Sequence, residues 1–141
     1  MKNFMKPVTL GLLTCVLSSL CLADIAVIAN SASPLTSIDE ETAEKVFLKK
    51  VSDIRGFSVT PLDLPKGEVR NRFYERIADK SAAQMLAYWS RLIFTGKGAP
   101  PDIVISEEDM LSMISAQPEA IGYIDAENLD GRVKKLLILK E

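Results

Sequence analysis

The residues of this chain best suited to chemistry are Gly67 and Arg70, in the run Pro65-Lys66-Gly67-Glu68-Val69-Arg70. A Pro-Lys-Gly turn leads there into a stretch where Val69, Phe73 and Ile77 recur every fourth residue, which predicts an amphipathic helix over 68–78 with Arg72 and Arg76 away from its buried stripe. A helix start presents unpaired N–H groups and roughly half a positive charge, and so can hold an oxyanion. A cation in that first turn opposes the helix dipole unless an anion lies near, so Gly67 and Arg70 are candidate ligand-binding residues. Glu68 works against the site, because a carboxylate occupies and repels the same N–H groups. A solvated charged face is the competing reading of this run.

A second candidate is the loop Asn30-Ser31-Ala32-Ser33, which follows the apolar run Ile25-Ala26-Val27-Ile28-Ala29. Open α/β sheets bind ligands outside the carboxyl ends of their strands, which places the Asn30 amide and the Ser31 hydroxyl well. The plainer alternative is a polar turn. Gly96-Lys97-Gly98 superficially resembles a phosphate loop, but Arg91 stands where the first glycine is required and Gly98 where a Ser or Thr is required. It reads instead as a helix terminus.

The chain contains no His, which removes the commonest general base, the commonest metal ligand and every Ser-His or Cys-His pair. Asp125, Glu127 and Asp130 cluster without calcium-loop spacing and specify no metal. A hydrolase built on carboxylate pairs has no support beyond the abundance of acidic residues. No catalytic residue, metal or cofactor is assigned.

The elements that must position these residues belong to one small domain, since the chain has 141 residues, 48% of them hydrophobic. A net charge of -2 gives no footprint for a polyanion and argues against nucleic-acid binding. Lys2 and Lys6, the uncharged stretch Val8 to Leu22 and the small residue Ala23 read as a signal peptide over 1–23, cleaved near Ala23, leaving a periplasmic or secreted domain over 24–141. Contact with the membrane is expected only through that leader, whose apolar stretch is shorter than the roughly 20 residues that span a bilayer. Both cysteines, Cys15 and Cys21, fall inside it, so the exported domain must hold itself together by an apolar core.

Ile25 to Ala29 predicts a strand buried on both faces. Ser37 followed by Glu40 reads as a capping box opening a helix to about Leu48. Phe57 to Leu64 predicts a strand, at an edge or a bulge because of Pro61. Ser81 with Gln84 caps a third helix that carries a wide apolar face through Met85, Tyr88, Trp89, Leu92 and Ile93 up to Phe94 and stops at Gly96. A short strand at Ile103 to Ile105 precedes a helix capped by Ser106 and stopped by Pro118. Strands at Ile121 to Ile124 and Val133 to Leu139 complete an α/β layered domain with a mixed or mainly parallel sheet flanked by helices.

Three stretches, taken together, resemble the phosphate-binding-protein-like branch of the type 2 periplasmic solute-binding proteins, partners of ABC transporters. They are Ile25 to Asn30 leading through Pro34 to Phe47-Leu48-Lys49-Lys50; Leu86-Ala87-Tyr88-Trp89-Ser90-Arg91-Leu92-Ile93-Phe94-Thr95-Gly96-Lys97-Gly98; and Pro118-Glu119-Ala120-Ile121-Gly122-Tyr123-Ile124. The resemblance is to short members especially, and implies a single three-layer lobe in place of the usual two. It implies a phosphate or other small oxyanion as ligand and an ABC transporter or envelope protein as partner. The family's Gly-Ser-Gly-Thr-Arg turn aligns with Lys66 to Arg70, where Gly67 and Arg70 fit and both hydroxyl-bearing residues are replaced. The alternative expectation is a protein-interaction module of the cell envelope that has lost its ligand, which an exposed apolar patch would favour.

Overall fold

The computed structural model describes residues 23–141, so nearly all of the leader expected over 1–23 lies outside the described residues. Strand β1 (Ile25–Asn30) is buried along its whole length, as a continuous apolar run requires. Helix α1 (Glu40–Phe47) follows, then a small hairpin of β2 (Asp53–Ile54) and β3 (Phe57–Ser58). Strand β4 (Thr60–Asp63) leads into α2 (Glu68–Ala78) and α3 (Ala82–Phe94). Strand β5 (Asp102–Ile103), α4 (Glu107–Ala116), β6 (Ala120–Asp125), a 3-10 turn at Ala126–Asn128 and β7 (Val133–Leu139) complete the described chain.

The main sheet has the order β5-β4-β6-β1-β7. Strand β4 runs parallel to β5 and β6, whereas β1 runs antiparallel to both β6 and β7. The sheet is therefore mixed, within the expected class. On one face α4 packs so closely that a Cβ on Gly122 would lie 2.4 Å from Met110 Sδ and 2.7 Å from Ile114 Cδ1. On the other face Tyr123, the next residue of β6, meets Phe73 of α2 in a stacked pair with ring centroids 3.7 Å apart. Phe47 of α1 closes edge-on against Phe73 at 4.8 Å. These contacts make three layers, helix, sheet and helices, with α3 packed outside α2.

Local chemistry accounts for the boundaries. The Ser81 and Gln84 capping box forms as expected, and Ser106 caps α4 by accepting from the Asp109 amide at 3.1 Å. Gly96, at φ +67, ends α3, with Lys97 N–H donating to Leu92 O. Ser37 is not the cap of α1: Asp39 accepts from Thr42 N–H at 2.8 Å. The chain is still extended one residue earlier, where buried Ile38 donates its N–H to the Leu136 carbonyl, and that pairing delays the helix. Leu136 is free to accept because a bulge interrupts the β1–β7 register after Val27.

The strand expected over 57–64 is broken at Val59. Its first part turns back on Asp53–Ile54 through Arg55 and Gly56, both at positive φ, as a two-residue hairpin turn requires. Pro61 lies inside the sheet and not at its edge. Thr60 donates to Glu119 on the β6 side, so the next nitrogen faces β5, which begins pairing only opposite Leu62. The missing donor of Pro61 therefore meets no partner strand.

Candidate functional site

The four residues singled out in the sequence do not gather at one place. Strand β1 is antiparallel to β6, and β6 is parallel to β4, so the carboxyl end of β1 lies beside the start of β4. Asn30 and Ser31 thus sit at one end of the sheet and Gly67 and Arg70 at the other, separated by the six residues of β6, about 20 Å. The carboxyl-end rule fails for β1 because it applies among strands of one direction. Asn30 is moreover fully engaged: Nδ2 donates to the carbonyls of Ile114 at 2.8 Å and Ser115 at 3.1 Å, and Oδ1 accepts from Ala32 N–H at 2.8 Å. It ties the end of α4 to the turn after β1. Ser31 is exposed on that turn.

At the opposite end, α2 begins at Gly67, which provides no side-chain cap. The amides of Glu68, Val69 and Arg70 accordingly have no intrahelical acceptor, while Asn71 N–H already pairs with Gly67 O. Arg70 lies over this start with its Nε 3.3 Å from Asp63 Oδ2. The anion that makes a cation tolerable in the first turn belongs to the chain itself, at the last residue of β4. Asp63 is 1% exposed and held from several sides. Tyr74 Oη donates to Oδ2 at 2.9 Å, Leu64 N–H to Oδ1 at 2.9 Å, and Tyr123 Oη also donates to Oδ1. Burial, and then the charge of Asp63, push the phenols of Tyr74 and Tyr123 well above their ordinary range, so both remain donors.

The Arg70 guanidinium is fixed by this network through Nε alone, and also packs 5.6 Å over the Tyr74 ring. Its two terminal nitrogens make no bond to the other described residues. Sequence reasoning missed Asp63, whose signal was a carboxylate closing a strand otherwise rich in Pro and Leu. It missed the tyrosines as well, because they reach Asp63 from 11 and 60 residues away.

Lys66, Gly67 and Arg70 border two hollows. One, about 290 Å³, lies toward α4 and is also lined by Glu68, Val69, Ser106 and Glu107, whose two carboxylates disfavour an anion. The other, about 580 Å³, runs from these residues and Asp63, whose carboxylate is already held by Arg70 and two tyrosines, along α3 to β5. Its wall carries Leu86, Ile93 and Ile103, which are 62%, 57% and 59% exposed, and Trp89, which is 5% exposed. The apolar face expected for α3 is thus only partly core: Met85 and Trp89 are buried, while Ile93 stands over the groove together with Leu86, which lay outside the expected face.

The remaining motifs have structural partners. Gly96-Lys97-Gly98 terminates α3. Arg132 binds Glu108 at 2.7 Å and Asp130 at 2.9 Å, and Arg76 grips Glu40 at 2.7 Å. Arg72, expected away from the buried stripe, is instead largely buried at the sheet end, paired by charge at 3.6 Å with Asp125 and 3.7 Å with Glu68, distances too long for a hydrogen bond, and its Nε and one terminal nitrogen form none among the described residues.

Comparison of the whole structure with known proteins places the fold. An ABC-type phosphate transport receptor from Vibrio cholerae superposes with a TM-score of 0.63 at 17% identity, over 82% of this chain and 47% of the receptor. A protein from Clostridium perfringens, solved with bound phosphate as a candidate phosphate ABC transporter substrate-binding protein, gives 0.65 at 16% identity, over 83% of this chain and 46% of that one. A possible phosphate binding protein from Planctomyces limnophilus DSM 3776 gives 0.56 at 15% identity, over 82% and 42% respectively. No protein-family model and no curated sequence matches the chain. The fold is therefore phosphate-binding-protein-like, and the chain spans slightly less than half the length of these structures.

Proposed function

We propose that the chain is an exported, non-catalytic receptor lobe that holds phosphate or a similar small oxyanion at the start of α2. The observation that carries this reading is the anchored Arg70, aligned by buried Asp63 with its terminal nitrogens unused among the described residues, beside the uncapped amides that follow Gly67 and the cation Lys66. These groups bind by charge-assisted and backbone hydrogen bonds. Asp63 offsets the charge of Arg70, and no serine or threonine stands between Lys66 and Arg70, so affinity at this one lobe is modest. Asn30 and Ser31 are not part of the site. The described residues contain no helix long and apolar enough to cross a membrane. Delivery to an ABC transporter or to another envelope protein is the role that the receptors of the same fold suggest.

Thermal melting in a series of phosphate and sulfate concentrations tests the proposal. At a hundredfold excess over the dissociation constant, the ligand adds about 2.7 kcal/mol of stability, a rise of several degrees in Tm. Phosphate that leaves Tm unchanged at millimolar concentration removes the oxyanion site. A second reading, a protein-docking module of the envelope, draws on the exposed Leu86, Ile93, Phe94, Ile103 and Ile105. A flat anion series combined with concentration-dependent burial of these side chains would favour it.

A further inference from the structure

We infer that the groove along α3 takes an organic anion with an apolar body, of the class of an alkyl or aryl phosphate monoester. The inference rests on the oxyanion site proposed above and names the kind of ligand that site serves. The anionic head belongs at the cationic end of the groove, at Lys66, Gly67 and the terminal nitrogens of Arg70. Nothing in those groups accounts for the rest of the groove, whose volume of about 580 Å³ far exceeds that of a bare tetrahedral ion. It falls within the roughly 300–1,000 Å³ of small-molecule sites.

The wall beyond the cationic end is apolar and exposed. Leu86 and Ile93 are spaced seven residues apart on one stripe of α3, and Ile103 faces the same hollow from β5. Single exposed apolar residues are ordinary, but three of them aligned on one hollow mark a binding surface. Trp89, 5% exposed, adds its ring to the same wall. A cationic end and an apolar wall together describe the complement of an amphipathic anion.

Trp89 is the only tryptophan in the chain, so its emission reports on the groove. The protein is titrated with sodium phosphate, with hexyl phosphate and with hexanol, and binding is followed by Trp89 fluorescence and calorimetry. Full burial of a methylene group raises affinity roughly fourfold. Hexyl phosphate is therefore expected to bind at least ten times more tightly than phosphate and to shift the emission, while hexanol at equal concentration does not. Leu86→Asn and Ile93→Asn, both at exposed positions, should erase that advantage and leave phosphate affinity unchanged. Equal affinity for phosphate and hexyl phosphate overturns the inference and leaves the phosphate reading standing. Hexanol binding as well as hexyl phosphate overturns it too, and failure of both phosphates to bind removes both readings.

Discussion

Arg70 and Asp63 form a partly buried ion pair, Nε to Oδ2 at 3.3 Å, in which the carboxylate closes a strand and the guanidinium opens the helix that follows. The pair joins the fold to the candidate site: what seats α2 on the sheet also aims the cation. Arg70→Ala leaves a buried carboxylate with only its tyrosine and backbone donors. It should cost about 1–3 kcal/mol in urea denaturation and abolish any phosphate-induced rise in Tm. A normal phosphate response from this variant would exclude Arg70 from the site.

The two phenols that donate to Asp63 predict a pH dependence. Both are raised in the folded state, first by burial and then by the neighbouring carboxylate, so the native protein retains protons that the unfolded chain releases. Their contribution is complete below the free phenol value of about 10 and declines above it, by up to about 1.4 kcal/mol per pH unit for each tyrosine. Urea denaturation between pH 8 and about 11 should show a plateau followed by that fall. Tyr123→Phe, less stable at neutral pH, should show a shallower slope.

Gly122 lies under α4 where no Cβ fits, at 2.4 Å from Met110 Sδ. Gly122→Ala should destabilise the fold by about 1–3 kcal/mol through overpacking. Adding Met110→Ala should recover part of that loss, so that the double variant is more stable than the sum of the single changes predicts. Strict additivity would mean that α4 shifts freely instead.

Asn30 and Ser31 are neighbours with opposite expectations. Asn30→Ala removes the bonds to Ile114, Ser115 and Ala32 and should cost about 1–3 kcal/mol. Ser31→Ala should stay within about 0.5 kcal/mol. Neither should change the response to phosphate. An effect of Ser31→Ala on anion binding would contradict its position at the far end of the sheet.

Phe94 is 92% exposed, next to the groove residue Ile93. Phe94→Ser should leave the urea midpoint within experimental scatter, because no core contact is lost. A marked loss of stability would show that Phe94 is covered in solution.

The elements written in local chemistry were legible in the sequence. The Ser81 and Gln84 box, the Ser106 cap, the Gly96 stop and the four-residue repeat of α2 each depend on residues within one or two turns of one another. Burial of β1 was legible too, because it needs only an unbroken apolar run. Its direction was not, since an apolar run is the same read either way, and the misplaced pairing of Asn30 and Ser31 with Arg70 followed from that. Asp39 displaced Ser37 as a cap because of a hydrogen bond to Leu136, about a hundred residues distant in sequence. Asp63 escaped notice for a similar reason: its meaning lies in Tyr123, which only the parallel pairing of β4 with β6 brings near.

The reversal of β1 gives the domain two independent poles. Both cysteines lie at Cys15 and Cys21, ahead of the described fold, so residues 24–141 carry no thiol. A cysteine introduced at Ser31 would tether this part of the chain to an electrode or a bead with the groove facing outward, and immobilisation would leave the anion-holding face open to solution.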